Sequence, residues 1–496
     1  MADVELPEVG IVDRIRVDAP DWPGAVVTSG QGSVLLVPPA AGVKWRVEEA
    51  PVVDSFMAEE GAEALGLTPW TEAGERGSGV KIAVFDVQWF NAAVVSEELG
   101  FVETHDCETT RSCDVPMDTL RPRYGFEEGS HGVGCAEVVE DYAPDAELHL
   151  VRVNGTTTFE NAVDWAIRNE VDIVSMSMSF FNNSFHDGTG SINDAAARLA
   201  DAGTLLVTSA GNYAREHWSG DWVDSDRDQT MDFPWGSAWL PVYYGAGSHG
   251  VQVSWDEFSV CGRNDFDVIA VNRAGRLVGE ATGTQDPDAD ACSPVERLTL
   301  HADAEDWYWL GITRKRGAGG ANVGVYARGG SIYDPQPGGL ADPASSLAAF
   351  TVGAVRATGY AHNSPESFSS FGPTRGGAAK PDIAGPDGLS SRIFGPNGFY
   401  GTSAAAPAVA ATLAVILGAH PELSPREAAE RLAAAALSEP TLGSTSDPGL
   451  GAGRARLWDR TAAEGCGAQS AVFAPLLGWR WFRRARPGSR PSRHSE

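Results

Sequence analysis

Residues Tyr400 to Leu417 read YGTSAAAPAVAATLAVIL. After Gly401, Thr402 and Ser403, small and apolar residues fall on every face, and a helix that is apolar all round has to be buried. Pro407 is expected in the first turn, where its missing N–H removes no hydrogen bond. Ser403 is then expected at the start of a central helix, beside unpaired N–H groups and the positive end of the dipole, where a developing oxyanion is best stabilised. A lone serine at such a place is more often an N-cap than a nucleophile. Its meaning depends on partners elsewhere in the chain.

The chain has 496 residues, 43% of them hydrophobic, with 57 Gly and 30 Pro, which describes a loop-rich globular protein of more than one domain. A net charge of −30 argues against nucleic-acid binding and against acidic lipid surfaces. Protein or peptide partners fit better, and a monomer with no stable membrane span is expected. Of the six cysteines, Cys107 and Cys113 could close a small loop, and Cys261 and Cys292 share one segment. That spacing leans toward an oxidising compartment, hence secretion or the cell surface. The opening MADVELPEVGIVD has neither a basic start nor an apolar core, so no signal peptide is visible in it.

Residues 1–70 form an acidic, Pro-rich leading segment, a possible propeptide remnant, with alternation at Ser33 to Val37 and a helix expected near Val52 to Leu65. Gly77, Ser78 and Gly79 then break the chain before Val80 to Phe85, a buried-strand run that stops at Asp86. Ser130 is expected to cap a helix opening at His131 and running to Tyr142, with Glu137, Glu140 and Asp141 on its solvated face. Strands are expected at Glu147 to Val153, Val171 to Met178 and Thr204 to Ser209, and helices at Asn161 to Asn169 and Asn193 to Ala202. This alternation indicates an α/β fold, a parallel sheet sandwiched by helices. From about Trp222 to Gly339 the pattern changes to short period-2 runs separated by turns, which read as an inserted all-β sandwich. The expected organisation is therefore a catalytic domain in two parts, 71–221 and 341–465, around an insert at 222–340. Ser424 to Ala436 is expected as a closing helix. In the tail, 466–496, the apolar run Ala471 to Phe482 is too short to cross a bilayer and reads as a disordered or surface-packed end rather than an anchor.

In an open parallel sheet, ligands bind at the carboxyl ends of the strands near a topological switch. Asp86, Asn212 and Ser403 are expected there, and His131 opens a helix that can face the same crevice. A serine hydroxyl becomes nucleophilic when a histidine takes its proton and a buried carboxylate fixes the imidazole. An amide beside the serine N–H completes an oxyanion hole.

The order Asp, His, Asn, Ser, carried by KIAVFD (Asp86), SHGVGCAE (His131), TSAGN (Asn212) and GTSAAAP (Ser403), resembles the subtilisin-like serine proteases, with SSFGP and KPDIAGP as framework segments. The resemblance covers residues 76–220 and 345–465 and extends to bacterial members with a β-rich insert between the Asn and Ser motifs. It implies a serine endopeptidase with Asp86, His131 and Ser403 catalytic and Asn212 in the oxyanion hole. It also implies that Ser177, Met178, Ser179 and Phe180 form an edge strand gripping extended peptide. Two departures stand out: Val87 and Gln88 follow the acid where the family usually has Thr or Ser and then Gly, and Ser179 replaces a usual glycine. Two rivals are a non-catalytic member whose insert is a binding module, and a sedolisin-like acid peptidase. The second puts Glu and Asp where this chain keeps His131 and Asn212.

No cofactor is expected. Asp224, Asp226 and Asp228 alternate in DSDRD, and Asp286, Asp288 and Asp290 in DPDAD. Alternating carboxylates can ligate calcium, but without an EF-hand's glycine and terminal Glu, solvated acidic turns are the preferred reading and structural calcium the alternative. Cys135 reads as a small buried filler, or a partner of Cys466, rather than a reactive thiol.

Overall fold

A computed structural model describes residues 14–18, 44–48 and 59–459, except for 91, 93–98, 100–101, 118–128, 182, 287–291 and 438–446. The expected alternation at 33–37, the acids Asp288 and Asp290, Cys466 and the tail lie outside the described residues. In the leading segment, strands Arg14–Asp18 and Lys44–Glu48 pair antiparallel. Of the helix expected from Val52 to Leu65, the part among the described residues is helical, Glu59–Leu65.

A seven-stranded sheet carries the centre of the fold. Its strands lie in the order Ile383–Asp387, Phe350–Arg356, Leu205–Ser209, Ile173–Met176, Lys81–Asp86, Glu147–Arg152 and Glu103–Asp106, and every neighbouring pair is parallel. Lys81–Asp86 comes first in the chain, yet later strands flank it on both sides. The order therefore reverses beside it, and Asp86 sits at the carboxyl end of the switch-point strand. Side chains on a strand alternate between faces, and here both faces are covered. Ile82 and Val84 join one core with helices His131–Tyr142 and Thr402–Ala419. Ala83 and Phe85 join another with helices Thr156–Arg168 and Ser191–Ala202. Burial on both sides is why these strands are continuous apolar runs.

Between this sheet's strands Leu205–Ser209 and Phe350–Arg356 the chain builds two antiparallel sheets. One orders Val295–Ala302, Gly247–Trp255, Asn322–Ala327 and His217–Asp221; the other orders Leu277–Ala281, Asp265–Val271, Asp306–Arg316, Leu240–Tyr244 and Ser331–Ile332. Val251, Val253 and Trp255 from the first share one core with Phe266, Val268 and Leu310 from the second. The inserted β-sheets are thus packed face to face, as the period-2 runs required.

Helix Thr402–Ala419 is long and apolar enough to cross a membrane, but 83% of its apolar window is buried inside the fold. It is the core helix that the sequence demanded. The start differs from expectation. Gly401 is the N-cap, at φ +107, and Ser403 is the second helical residue. Pro407 is therefore inside the helix rather than in its first turn, and it leaves the carbonyl of Ser403, four residues back, without its helical donor. Two side chains from other elements supply one: Ser177 Oγ donates at 3.2 Å and Cys135 Sγ at 3.6 Å. The proline thus ties the serine's own peptide to the surrounding fold.

Candidate active site

Asp86 is buried, and its two oxygens divide the work. Oδ1 accepts the backbone N–H groups of Val87 at 2.8 Å and Gln88 at 2.9 Å, while Oδ2 meets His131 Nδ1 at 2.6 Å. The unusual residues after Asp86 support the acid through main-chain N–H groups, which any residue but proline carries. The loop that follows is fastened to the start of the histidine helix. Gly132 donates its N–H to Gln88 O, Phe90 donates to Gly129 O, and Ser130 Oγ donates to Phe90 O. Ser130 occupies the cap position, but its hydroxyl makes that bond instead of capping the helix. Trp89, fully buried, donates Nε1–H to Asp86 O at 2.9 Å.

Glu137 on the same helix departs from the expected solvated face. It is buried, and Oε1 accepts the N–H of Arg392 at 3.1 Å. Its position six residues after His131 faces the inner side of the helix, where the strand Leu389–Ser391 region approaches.

His131 is 27% exposed at its side chain, enough for the ring to meet a substrate. Burial pulls its pKa down, but the charge and hydrogen bond of Asp86 outweigh that, and the net shift is upward from 6.5. Phe399 packs edge-on against the ring, with centroids 5.9 Å apart.

Asn212 follows strand Leu205–Ser209 and is oriented by Thr402, which donates its N–H at 3.0 Å and its hydroxyl at 2.9 Å to Asn212 Oδ1. With the oxygen so occupied, the amide presents Nδ2 to the start of the serine helix. Gly401 is required here: a Cβ would lie 2.9 Å from Asn212 Nδ2, on a backbone at positive φ. Thr402 Oγ1 also accepts Gly211 N–H at 3.1 Å, which closes the link between the two segments. Ser403 is partly exposed beside them. Cys135, one turn beyond His131, touches its carbonyl, so the histidine and serine helices meet at this corner. Asp86, His131, Asn212 and Ser403 are brought to one end of the sheet.

Ser177, Met178 and Ser179 follow the carboxyl end of strand Ile173–Met176, and Ser177 reaches the Ser403 carbonyl. Phe180 does not share their situation, since its N–H and C=O both pair with Asp342.

The chain matches the subtilase family over residues 77–453. It belongs to that family. This subtilase is 26% identical over 453 residues to the minor extracellular protease Vpr of Bacillus subtilis strain 168, covering 83% of this chain and 55% of Vpr. It therefore spans about half the length of that curated relative. Among solved structures it is similar to the CspB protease of Clostridium perfringens, with a TM-score of 0.55 at 15% identity, covering 80% of this chain and 97% of CspB. At that identity the likeness speaks for the subtilase fold alone.

One residue of the subtilase corner was not singled out in the sequence. Asp387 ends strand Ile383–Asp387 as Asp86 ends Lys81–Asp86, and its Oδ1 accepts the N–H of Gly401 at 2.6 Å. Burial pushes its pKa up to about 6, with backbone N–H groups pulling the other way. A strand ending in an acid within IAGPD was the available signal.

Among the described residues, three clusters bring possible metal-ligand atoms within 4.8 Å of one another: Asp86 with His131 and Cys135, Glu103 with His105 and His149, and Asp224 with Asp226 and Asp228. In the first, Asp86 and His131 are engaged with each other and Cys135 with Ser403 O. Burial raises the Cys135 thiol well above its ordinary pKa, in line with an inert filler. Cys107 and Cys113 stand at disulfide distance, with Cα atoms 4.2 Å apart, as do Cys261 and Cys292 at 5.8 Å.

The closeness of loop and helix makes a sharp prediction. A Cβ on Gly132 would lie 2.6 Å from Asp86 Cβ and 3.0 Å from the Trp89 ring. Gly132→Ala is expected to push Asp86 off His131 and lower kcat/KM by at least about a hundredfold, since small misplacements at a reacting centre cost that much. Steady-state kinetics beside circular dichroism checks it; near-normal activity would show that the pair tolerates the shift.

Proposed function

We propose that this subtilase is a serine endopeptidase that cleaves peptide bonds in proteins. The observation that carries the reading is the Asp86–His131 contact at 2.6 Å, at the same corner as the Asn212–Thr402–Ser403 link. Ser403 Oγ attacks the scissile carbonyl and passes its proton to His131 Nε2, which returns it to the leaving amine. Asp86 holds the Nδ1–H tautomer and stabilises the imidazolium. The tetrahedral oxyanion is held by Asn212 Nδ2 and by the N–H of Ser403, which as a first-turn helical N–H has no acceptor of its own within the helix. Extended substrate adds a strand along Ser177 to Ser179; Phe180 takes no part in that ladder, because its backbone is already paired.

Secretion or a cell-surface location fits the two cysteine pairs at disulfide distance and a relative that is extracellular by name.

The test is hydrolysis of an unfolded protein substrate at neutral to alkaline pH, blocked by a fluorophosphonate. Absence of cleavage with intact folding would favour a non-catalytic subtilase, and an acid optimum that survives His131→Ala would favour a sedolisin-like mechanism. Asn212→Ala is expected to lower kcat by about a hundred- to a thousandfold with little change in KM, a magnitude carried over from subtilisin, a member of the same family. An equal fall in affinity with unchanged kcat would assign the amide to ground-state binding instead.

A further inference from the structure

Strands Glu103–Asp106 and Glu147–Arg152 pair in parallel at one edge of the seven-stranded sheet, with Glu103 opposite His149. Both carry Glu-x-His, as Glu103-Thr104-His105 and Glu147-Leu148-His149. Because side chains alternate along a strand, all four groups fall on one face. There Trp165, from helix Thr156–Arg168, packs on both imidazoles with centroids 4.3 and 5.4 Å away.

The hydrogen bonds of the rings fix where their protons are. His105 Nδ1 lies 3.3 Å from Cys113 O, and a carbonyl only accepts, so this nitrogen is the N–H. His149 Nε2 lies 3.0 Å from Glu147 Oε1, an acceptor likewise, and is the N–H of its ring. In neutral rings the remaining nitrogens, His105 Nε2 and His149 Nδ1, are then both lone pairs, and they face each other at 3.2 Å. Two lone pairs at that distance repel, and a cation between them removes the conflict. Glu103 Oε2 completes a triangle, 3.9 Å from His105 Nε2 and 3.8 Å from His149 Nδ1.

Tetrahedral zinc, with bonds of about 2.0 to 2.2 Å, holds its ligand atoms about 3.3 Å apart. The two nitrogens already have that spacing, and the exposed Glu103 side chain can close on them by rotation. Bonds from the far ring nitrogens to a carboxylate and a backbone carbonyl are what metal-bound histidines make. We propose that Glu103, His105 and His149 bind a zinc-class divalent cation that ties the edge strand to its neighbour and leaves a fourth position open to solvent. Glu103 gives the ion its entry path.

The test is a zinc titration of the full chain, stripped with chelator and competed against a chromophoric ligand, with bound metal counted by mass spectrometry. It is run with His131→Ala, so that the Asp86, His131 and Cys135 cluster does not hold zinc. One zinc per chain is expected, with affinity lowered at least about tenfold by Glu103→Gln and stoichiometric binding lost in His105→Gln. Cobalt(II) in its place should give the visible absorption of a four-coordinate site. Glu103→Gln changes an exposed side chain, so it decides the matter even if His105→Gln fails to fold. No stoichiometric zinc, as a shared proton between the rings would give, overturns the proposal. So does zinc held equally well by both variants.

Discussion

Replacing Ser403 by alanine is expected to abolish fluorophosphonate labelling and to lower kcat on a protein substrate by about a million-fold, a magnitude taken over from subtilisin. In the proposed mechanism the change removes the one atom that would form the acyl bond, and little else. The structural bonds of this residue run through its carbonyl, to Ser177 and Cys135, and alanine keeps that carbonyl. Alanine is also the best helix former. Stability is therefore expected to stay within about 0.5 kcal/mol of the parent, as for substitutions that touch no packed or bonded group. Labelling that survived the change would mean that another residue is the nucleophile.

The second large effect concerns Asp86→Asn. An asparagine can keep its oxygen on the N–H groups of Val87 and Gln88, so the loop should hold. What then faces His131 Nδ1 is an NH2 group, a donor meeting a donor, and the ring is driven to the wrong tautomer. A loss of about ten-thousandfold in kcat is expected, as in other triads so altered. The pH profile supplies an independent check. The proposed mechanism needs the neutral imidazole, and in the parent Asp86 outweighs burial to raise the pKa above 6.5, so kcat/KM should reach half its plateau above pH 6.5. In the variant burial remains and the carboxylate is gone, so the midpoint should move down. The same raised pKa makes His131 stabilise the fold at pH below its unfolded value, a contribution lost as pH rises through the folded one. A midpoint that did not move would show that Asp86 and His131 are not coupled.

Much of this was legible in the chain because the relevant signals are local. Val80 to Asp86 shows an apolar run ending in an acid, and its position at the switch point follows from strands alternating with helices. Period-2 runs from Val251 onward marked the inserted sheets for the same reason. What could not be read depends on partners distant in sequence. Glu137 looks like a helix-surface acid until the N–H of Arg392 arrives beside it. Pro407 looks like an N-terminal residue until the helix start is fixed by Asn212 and Asp387 holding Thr402 and Gly401. Gln88 looked like a departure in a loop that works through its backbone. Periodicity describes the environment of a residue, whereas hydrogen-bond partners across the fold are set by topology.

The placement of the inserted sheets bears on how quickly the molecule can assemble. Phe350 pairs in parallel with Val207, so the central sheet cannot be completed until the whole intervening segment has been drawn into a loop. Closing long loops is entropically costly and makes parallel pairing slow. The intervening strands pair antiparallel, and one of them, Asp265–Val271, pairs with the next strand in the chain, Leu277–Ala281. Assembled first, they shorten the effective loop to the distance between the two ends of that unit. Pulse-labelled hydrogen exchange during refolding should then find amides in Asp265–Val271 protected before those of Phe350–Arg356. The reverse order would mean that the central sheet closes its long loop unaided.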